Sequence, residues 1–155
     1  MRDDYICPFC GFLAGNQDVY SKQSDIVYHD DTVTAFIASH PLRHNPGQVL
    51  IIPNRHYENI YEMPDDLLAK THLLAKQICV AMRDVYPGCA GNVLRQHNES
   101  KCKGQDVPHY HLQIIPRYSD DRMYEYAEDG QRYLMPPEKR QYYAQLLRRR
   151  LGASE

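Results

Sequence analysis

Polar and apolar residues alternate between Pro108 and Arg117, with His109, His111 and Gln113 in one phase and Tyr110, Leu112 and Ile114 in the other. A period of two is that of a β-strand, so the three polar side chains share one face of the pleat and the three apolar ones pack beneath it. A surface strand ordinarily carries Lys, Glu or Thr on its wet face, and two imidazoles with a carboxamide, taken alone, are open to two readings, a face that does chemistry or a half-buried strand that merely tolerates its histidines. Ile26-Val27-Tyr28 and Thr32 to Ile37 are rich in β-branched and aromatic residues and are joined by His29-Asp30-Asp31, which predicts a hairpin. Gln48 to Ile52 is almost wholly apolar and ends at Pro53, as expected of a strand buried on both faces at the centre of a sheet. A further strand, Gly91 to Arg95, leads into the polar loop from Gln96 to Asp106.

The period changes after Pro64-Asp65-Asp66, where a proline in the first turn and two carboxylates at the positive end of the dipole open a helix. Leu67, Leu74, Ile78, Ala81, Met82 and Val85 form its inner stripe, His72 lies on it as a structural or solvated residue, and Tyr86-Pro87-Gly88 stops it. Residues 118–135 are tyrosine-rich and acidic with no period, a segment expected to hug the surface. A last helix starts at Pro136-Pro137-Glu138, with Tyr142, Tyr143, Leu146 and Leu147 as its apolar stripe. Arg148 to Arg150 match the negative end of its dipole, a more economical reading than a ligand site.

A chain of 155 residues suits one domain. Its 18 basic residues against 20 acidic ones leave no basic field for nucleic acid. No apolar run approaches the ~20 residues of a membrane span, and the first residues lack the apolar core of a signal peptide, so the expected location is the cytoplasm. Five cysteines do not make a disulfide framework there, and Cys79, Cys89 and Cys102 read as reduced thiols. Cys7-Pro8-Phe9-Cys10 taken singly is open to three readings, a metal chelate, a redox pair or coincidence. Only six residues precede it, too few for the strand that a thioredoxin-like motif needs, and this favours metal.

Taken together, Cys7-x-x-Cys10, Ala35-Phe36, Val49 to Pro53 with His56, Gly104-Gln105 and His109-x-His111-x-Gln113-Ile114-Ile115-Pro116-Arg117 resemble the histidine triad (HIT) superfamily of nucleotide hydrolases and transferases, in order and spacing, from about residue 7 to 118. The family motif places a third histidine where this chain has Gln113. The branches of galactose-1-phosphate uridylyltransferase and dinucleoside-polyphosphate phosphorylase carry glutamine there. The resemblance implies an α+β fold, a mostly antiparallel sheet flanked by the long central helix and the C-terminal helix. It also implies a HIT-like domain over residues 1–118, with residues 119–155 an extension whose final helix packs on that domain.

For activity, the resemblance implies a nucleotide substrate attacked at its α-phosphorus by His111, giving a covalent nucleotidyl-histidine, with Gln113 as the second catalytic residue. Asn98, Gly104, Gln105 and Asp106 match substrate-binding positions, although Asp106 falls where several members use Ser or Thr and its carboxylate would repel phosphate. Cys7, Cys10, His56 and His109 correspond to the ligands of a structural Zn²⁺, and one such unit implies a homodimer to which the helix from Pro64 contributes. A carboxamide donates a hydrogen bond but cannot hand over a proton, so the expected leaving group is phosphate, pyrophosphate or a nucleoside polyphosphate rather than an amine. Ala38 stands where many members hold the ribose with an aspartate. That departure motivates two alternatives, a nucleotide-binding sensor or interaction protein with little turnover, and a metal-stabilised scaffold.

Overall fold

The computed structural model describes residues 5–18, 20–102, 104–126 and 132–152. Five strands, β1 (Ile26–His29), β2 (Val33–Ile37), β3 (Val49–Pro53), β4 (Cys89–Arg95) and β5 (Leu112–Tyr118), form one sheet in the order β1-β2-β3-β5-β4, every neighbouring pair antiparallel. The helices are α1 (Pro8–Leu13), α2 (Asp65–Val85), the single turn α3 (Met123–Tyr126) and α4 (Pro137–Leu151). The expected hairpin is β1 and β2, and the expected central strand is β3, third of five.

Side-chain alternation assigns the two faces of the sheet. Val33, Ala35 and Ile37 of β2, Val49 and Ile51 of β3, and Leu112 and Ile114 of β5 meet Leu74, Ala75, Ile78 and Met82 of α2 and Ala144 and Leu147 of α4 in the main core. The residues of opposite phase, Phe36 and Ile52, pack on Phe12 of α1, and Ile115 packs on Leu42 and Met123. The sheet is therefore covered on both sides, which explains why Thr34, His111 and Gln113 are all buried despite pointing away from the main core.

The structure departs from the sequence reading at three elements. Ladder pairing in the His109 strand begins only at Leu112, because β3 pairs no further than Ile51 opposite Leu112, and β4 ends at Arg95 opposite Gln113. The chain bends up to His109, whose N–H donates to the Val107 carbonyl at 2.8 Å, and Tyr110 and His111 lead into β5 without a ladder partner, held by Tyr110 N–H to the Tyr57 carbonyl at 2.6 Å. The Cys7 motif is a helix start: Pro8 occupies the first helical position and the Cys7 sulfur accepts the Cys10 N–H. In α4 the buried residues are Arg140, Ala144 and Leu147, while Tyr142 is exposed. Arg140 is inside because its Nε lies 3.0 Å from Asp25 Oδ2, both side chains are fully buried, and another of its donors reaches the Met135 carbonyl at 2.7 Å. Part of the 118–135 stretch, residues 127–131, lies outside the described residues. Among those described, no helix is long and apolar enough to cross a membrane.

Past the end of β5 the chain turns around Asp121. Its carboxylate accepts from Arg117 at 2.6 and 2.9 Å, from the N–H groups of Tyr118 and Met123, and from the Asn45 amide at 2.7 Å. Burial by itself would raise this carboxyl, but these five donors hold it down at about 2. A depressed carboxylate contributes stability that is present above its unfolded pKa and lost as pH falls through the folded one. Asp121 should therefore contribute about 2 kcal/mol that disappears between pH ~4 and ~2. Urea unfolding of wild type against Asp121→Asn should show this acid limb in the wild type and its loss in the variant.

Candidate functional site

Two neighbouring constellations occupy the α1 side of the sheet. In the first, α1 presents Cys7 and Cys10, the segment after β3 presents His56, and the unpaired approach to β5 presents His109, with one ligand atom from each within 4.8 Å of all the others. The sulfur-to-nitrogen separations are 3.4 Å for Cys7 to His109, 3.4 Å for Cys10 to His56 and 3.7 Å for Cys10 to His109. A tetrahedral ion with metal–sulfur bonds of ~2.3 Å and metal–nitrogen bonds of ~2.0–2.1 Å spans S···N edges of roughly 3.6 Å, so the four donors fit one such ion. His109 is prepared for the role: its Nε2–H donates to the Pro53 carbonyl at 3.0 Å, leaving Nδ1 with its lone pair toward the sulfurs. Burial pushes its imidazole down to about 4, so the ring is neutral near pH 7.

The second constellation surrounds a hollow of about 390 Å³, lined among others by Gln48, Gly104, Asp106, His111, Gln113 and Arg132. That volume lies in the range of small-molecule sites. His111 Nδ1–H donates to the carbonyl of His109 at 2.8 Å, which assigns the tautomer and leaves Nε2 as the ring's lone-pair nitrogen. Burial is the main influence and lowers its pKa; the His109 carbonyl and the Asp106 charge oppose it, and His97 and Arg132 act with it. Phe9 of α1 stands edge-on to both imidazoles, 5.7 Å from His109 and 5.6 Å from His111. The four-donor cluster, through α1, thus sets one wall against the His111 ring.

Gln113 is oriented by a donor that cannot act otherwise, the Arg95 guanidinium. Its Oε1 accepts from Arg95 at 3.1 Å and from Gln48 Nε2 at 3.1 Å. A guanidinium only donates, so the atom facing Arg95 is the amide oxygen, and Gln113 offers the hollow its NH₂.

Of the residues matched to substrate-binding positions, Gly104 and Asp106 line the hollow, while the side chains of Asn98 and Gln105 turn away from it. Asn98 Oδ1 accepts from the Ile60 N–H at 3.1 Å and from Gln96 Nε2, and Gln105 Nε2 donates to the Glu58 carbonyl at 2.6 Å. Both fasten the loop between β4 and β5 to the turn that follows His56. Gln48, Arg95 and Arg132 were not singled out in the sequence. Gln48 and Arg95 sit at strand ends where nothing in the local pattern separates a site residue from a surface one, and Arg132 belongs to the aperiodic tail.

Comparisons with known proteins bear on the family and the fold. A HIT domain model matches residues 20–120. The chain belongs to the HIT family. It is 38% identical over 112 residues to "Protein hit" of Bacillus subtilis, covering 72% of this chain and 71% of that one. It is 30% identical over 115 residues to the adenylylsulfatase HINT3 of Arabidopsis thaliana, covering 74% of this chain and 54% of the relative. Among solved structures, a zinc-bound histidine triad family protein from Mycobacterium smegmatis superposes with a TM-score of 0.74 at 22% identity, covering 94% of this chain and 93% of the other, a likeness of fold. The matched segment of the family model begins after Cys10 and ends before Arg132.

Gly104 supplies a local test of the hollow's rim. Its φ of +94° is a conformation that L side chains rarely adopt, and a Cβ there would lie 2.5 Å from His97 Nδ1. Gly104→Ala should cost about 1 kcal/mol or more and displace the rim, read as a lower midpoint in urea unfolding.

Proposed function

We propose that this HIT protein is a nucleotidyl hydrolase or transferase acting on a nucleoside phosphate ester or anhydride through a covalent nucleotidyl-His111 intermediate. The observation that carries the reading is the His111 ring beside a nucleotide-sized hollow, its tautomer assigned by the His109 carbonyl and an amide donor, Gln113, on the same wall. In the first step the Nε2 lone pair forms a bond to the α-phosphorus, and the electron pair of the broken P–O bond departs with the leaving group. Nδ1–H stays bonded to the His109 carbonyl and stabilises the positive charge that develops on the ring. In the second step water or another acceptor attacks phosphorus, its proton passes to solvent, and the N–P electron pair returns to the imidazole. Gln113 steadies a phosphoryl oxygen and protonates nothing, so the leaving group must depart as a stable anion. The adenylylsulfatase activity named for the Arabidopsis relative is of this kind, since sulfate needs no proton to leave.

The same reading assigns Cys7, Cys10, His56 and His109 to a structural Zn²⁺. Two thiolates and two imidazoles fill a tetrahedron and leave no open position, so the ion supplies rigidity rather than an activated water. The zinc named in the Mycobacterium structure and the S···N separations support this assignment. The reading also includes a homodimer, supported by the exposed Leu73 and Val80 on α2 and Leu94 on the edge strand β4.

Two measurements test these assignments. Metal analysis should find one zinc per chain in the wild type and none in a Cys7→Ser, Cys10→Ser double variant, and a fully folded native protein without metal would refute it. With a labelled nucleoside polyphosphate the wild type should form an acid-labile adduct and turn over faster than on an adenosine phosphoramidate, and His111→Ala should do neither. A nucleotide that raises the melting temperature without adduct or turnover would assign the protein instead to nucleotide sensing, the reading favoured by the Asp106 carboxylate on the wall of the hollow.

A further inference from the structure

Arg132 lines the same hollow as Gln113, and Arg95 is hydrogen-bonded to Gln113; among the described residues neither guanidinium has a carboxylate at ion-pair distance, although the Asp106 charge acts on Arg132. Arg95, the last residue of β4 and directly opposite Gln113 in the ladder, gives one NH₂ to Gln113 Oε1, and its Nε is buried without a hydrogen bond. Burial, and next the charge of Arg132, lower its pKa, so the two cations feel one another. Arg132 itself lines the hollow and gives one N–H to the His40 carbonyl at 2.8 Å. It is brought there by the tail running beside residues 39–42, through a bridge between Leu42 and Arg132 and the Met135 N–H to the Ser39 carbonyl at 2.8 Å. Asp106 is the one carboxylate lining this hollow among the described residues. Keeping the half-buried Arg95 near the more exposed Arg132 costs energy that an anion in the hollow would offset, and a guanidinium presents its N–H groups in a fork matched to a tetrahedral oxyanion.

We propose that Arg132 and the Gln113 amide form the seat of the departing group, with Arg95 as the positioning residue behind Gln113, and that this seat selects leaving groups that are tetrahedral oxyanions. Phosphate, diphosphate, a nucleoside polyphosphate and sulfate all have this chemistry. The assignment deepens the nucleotidyl-transfer reading and depends on it for the word "leaving"; the anion seat itself does not. Because Arg132 lies beyond the segment matched by the family model, the selectivity would be a property of this chain's own tail.

The experiment compares two substrates that differ only in what departs from the α-phosphorus, a nucleoside triphosphate and the p-nitrophenyl ester of the same nucleoside monophosphate. Wild type, Arg132→Gln, Arg132→Lys and Arg95→Gln are assayed on both. Inorganic phosphate, diphosphate and sulfate are titrated calorimetrically into each protein. Losing a charge-assisted contact to the departing anion should lower kcat/KM in Arg132→Gln about tenfold or more further on the triphosphate than on the ester, and weaken diphosphate binding about tenfold or more. Arg132→Lys should recover part of both losses. Arg95→Gln should shift the substrate ratio in the same direction while circular dichroism shows the wild-type fold. Equal losses on both substrates, or diphosphate affinity unchanged in Arg132→Gln, would overturn the proposal. A wild type inert toward both substrates would defeat the catalytic reading alone, and the calorimetric arm would still decide whether the seat exists; the three anions distinguish phosphate-type from sulfate-type ligands.

Discussion

The structure depends on the several bonds that one residue makes at the same time. His109 turns Nδ1 toward the sulfurs of Cys7 and Cys10, donates Nε2–H to the Pro53 carbonyl at the end of β3, and lends its own carbonyl to His111 Nδ1. Each bond fixes something the others need. The Pro53 contact decides which ring nitrogen faces the sulfurs, and the carbonyl contact decides which nitrogen of His111 keeps its lone pair. The ring is fully buried, so these bonds form in a low-dielectric setting where a missing partner is expensive.

That junction matters because the sheet does not hold this part of the chain. The ladders end at Leu112 on one side and Gln113 on the other, so His109 to His111 lie beyond the last ladder partner, with the Tyr110 N–H on the Tyr57 carbonyl. Side chains take over the work of the missing ladder. The four-donor cluster pins the segment to α1 and to the stretch after β3, and Phe9, carried on the same helix turn as the two cysteines, closes against both imidazoles. Freedom from ladder pairing is also what lets a polar face exist in a buried place, with its hydrogen bonds directed by the site rather than by the sheet.

The tail is attached by a comparable device at the opposite face. The fully buried pair of Arg140 and Asp25 joins α4 to the turn before β1, and Arg148 donates to the carbonyls of Ser24 and Ile26. Removing one partner of such a pair strands a charge in the interior, at a cost of about 3–5 kcal/mol, so the attachment is specific in position. With α4 anchored and the Met135 N–H on Ser39, Arg132 is held beside Leu42 and lines the hollow.

What the sequence determined on its own was local or periodic: the β1–β2 hairpin, the buried β3, the long α2 with Leu74, Ile78 and Met82 inward, and the division of His109, His111 and Gln113 from Tyr110, Leu112 and Ile114. Hydrophobic period and turn chemistry act over a few residues and leave a readable trace. The gathering of Cys7, Cys10, His56 and His109 was also legible, through family register. Tertiary structure alone decided that the strand's pairing begins at Leu112, that Arg140 is inside and Tyr142 outside, that Asn98 and Gln105 brace a loop instead of lining the hollow, and that Arg95 bonds Gln113 while Arg132 lines the same hollow. Those outcomes depend on partners far away in the chain, such as Asp25 for Arg140 and the Glu58 carbonyl for Gln105. A side chain's use in such contacts is set by where two distant segments meet, a quantity no local pattern of polar and apolar residues encodes.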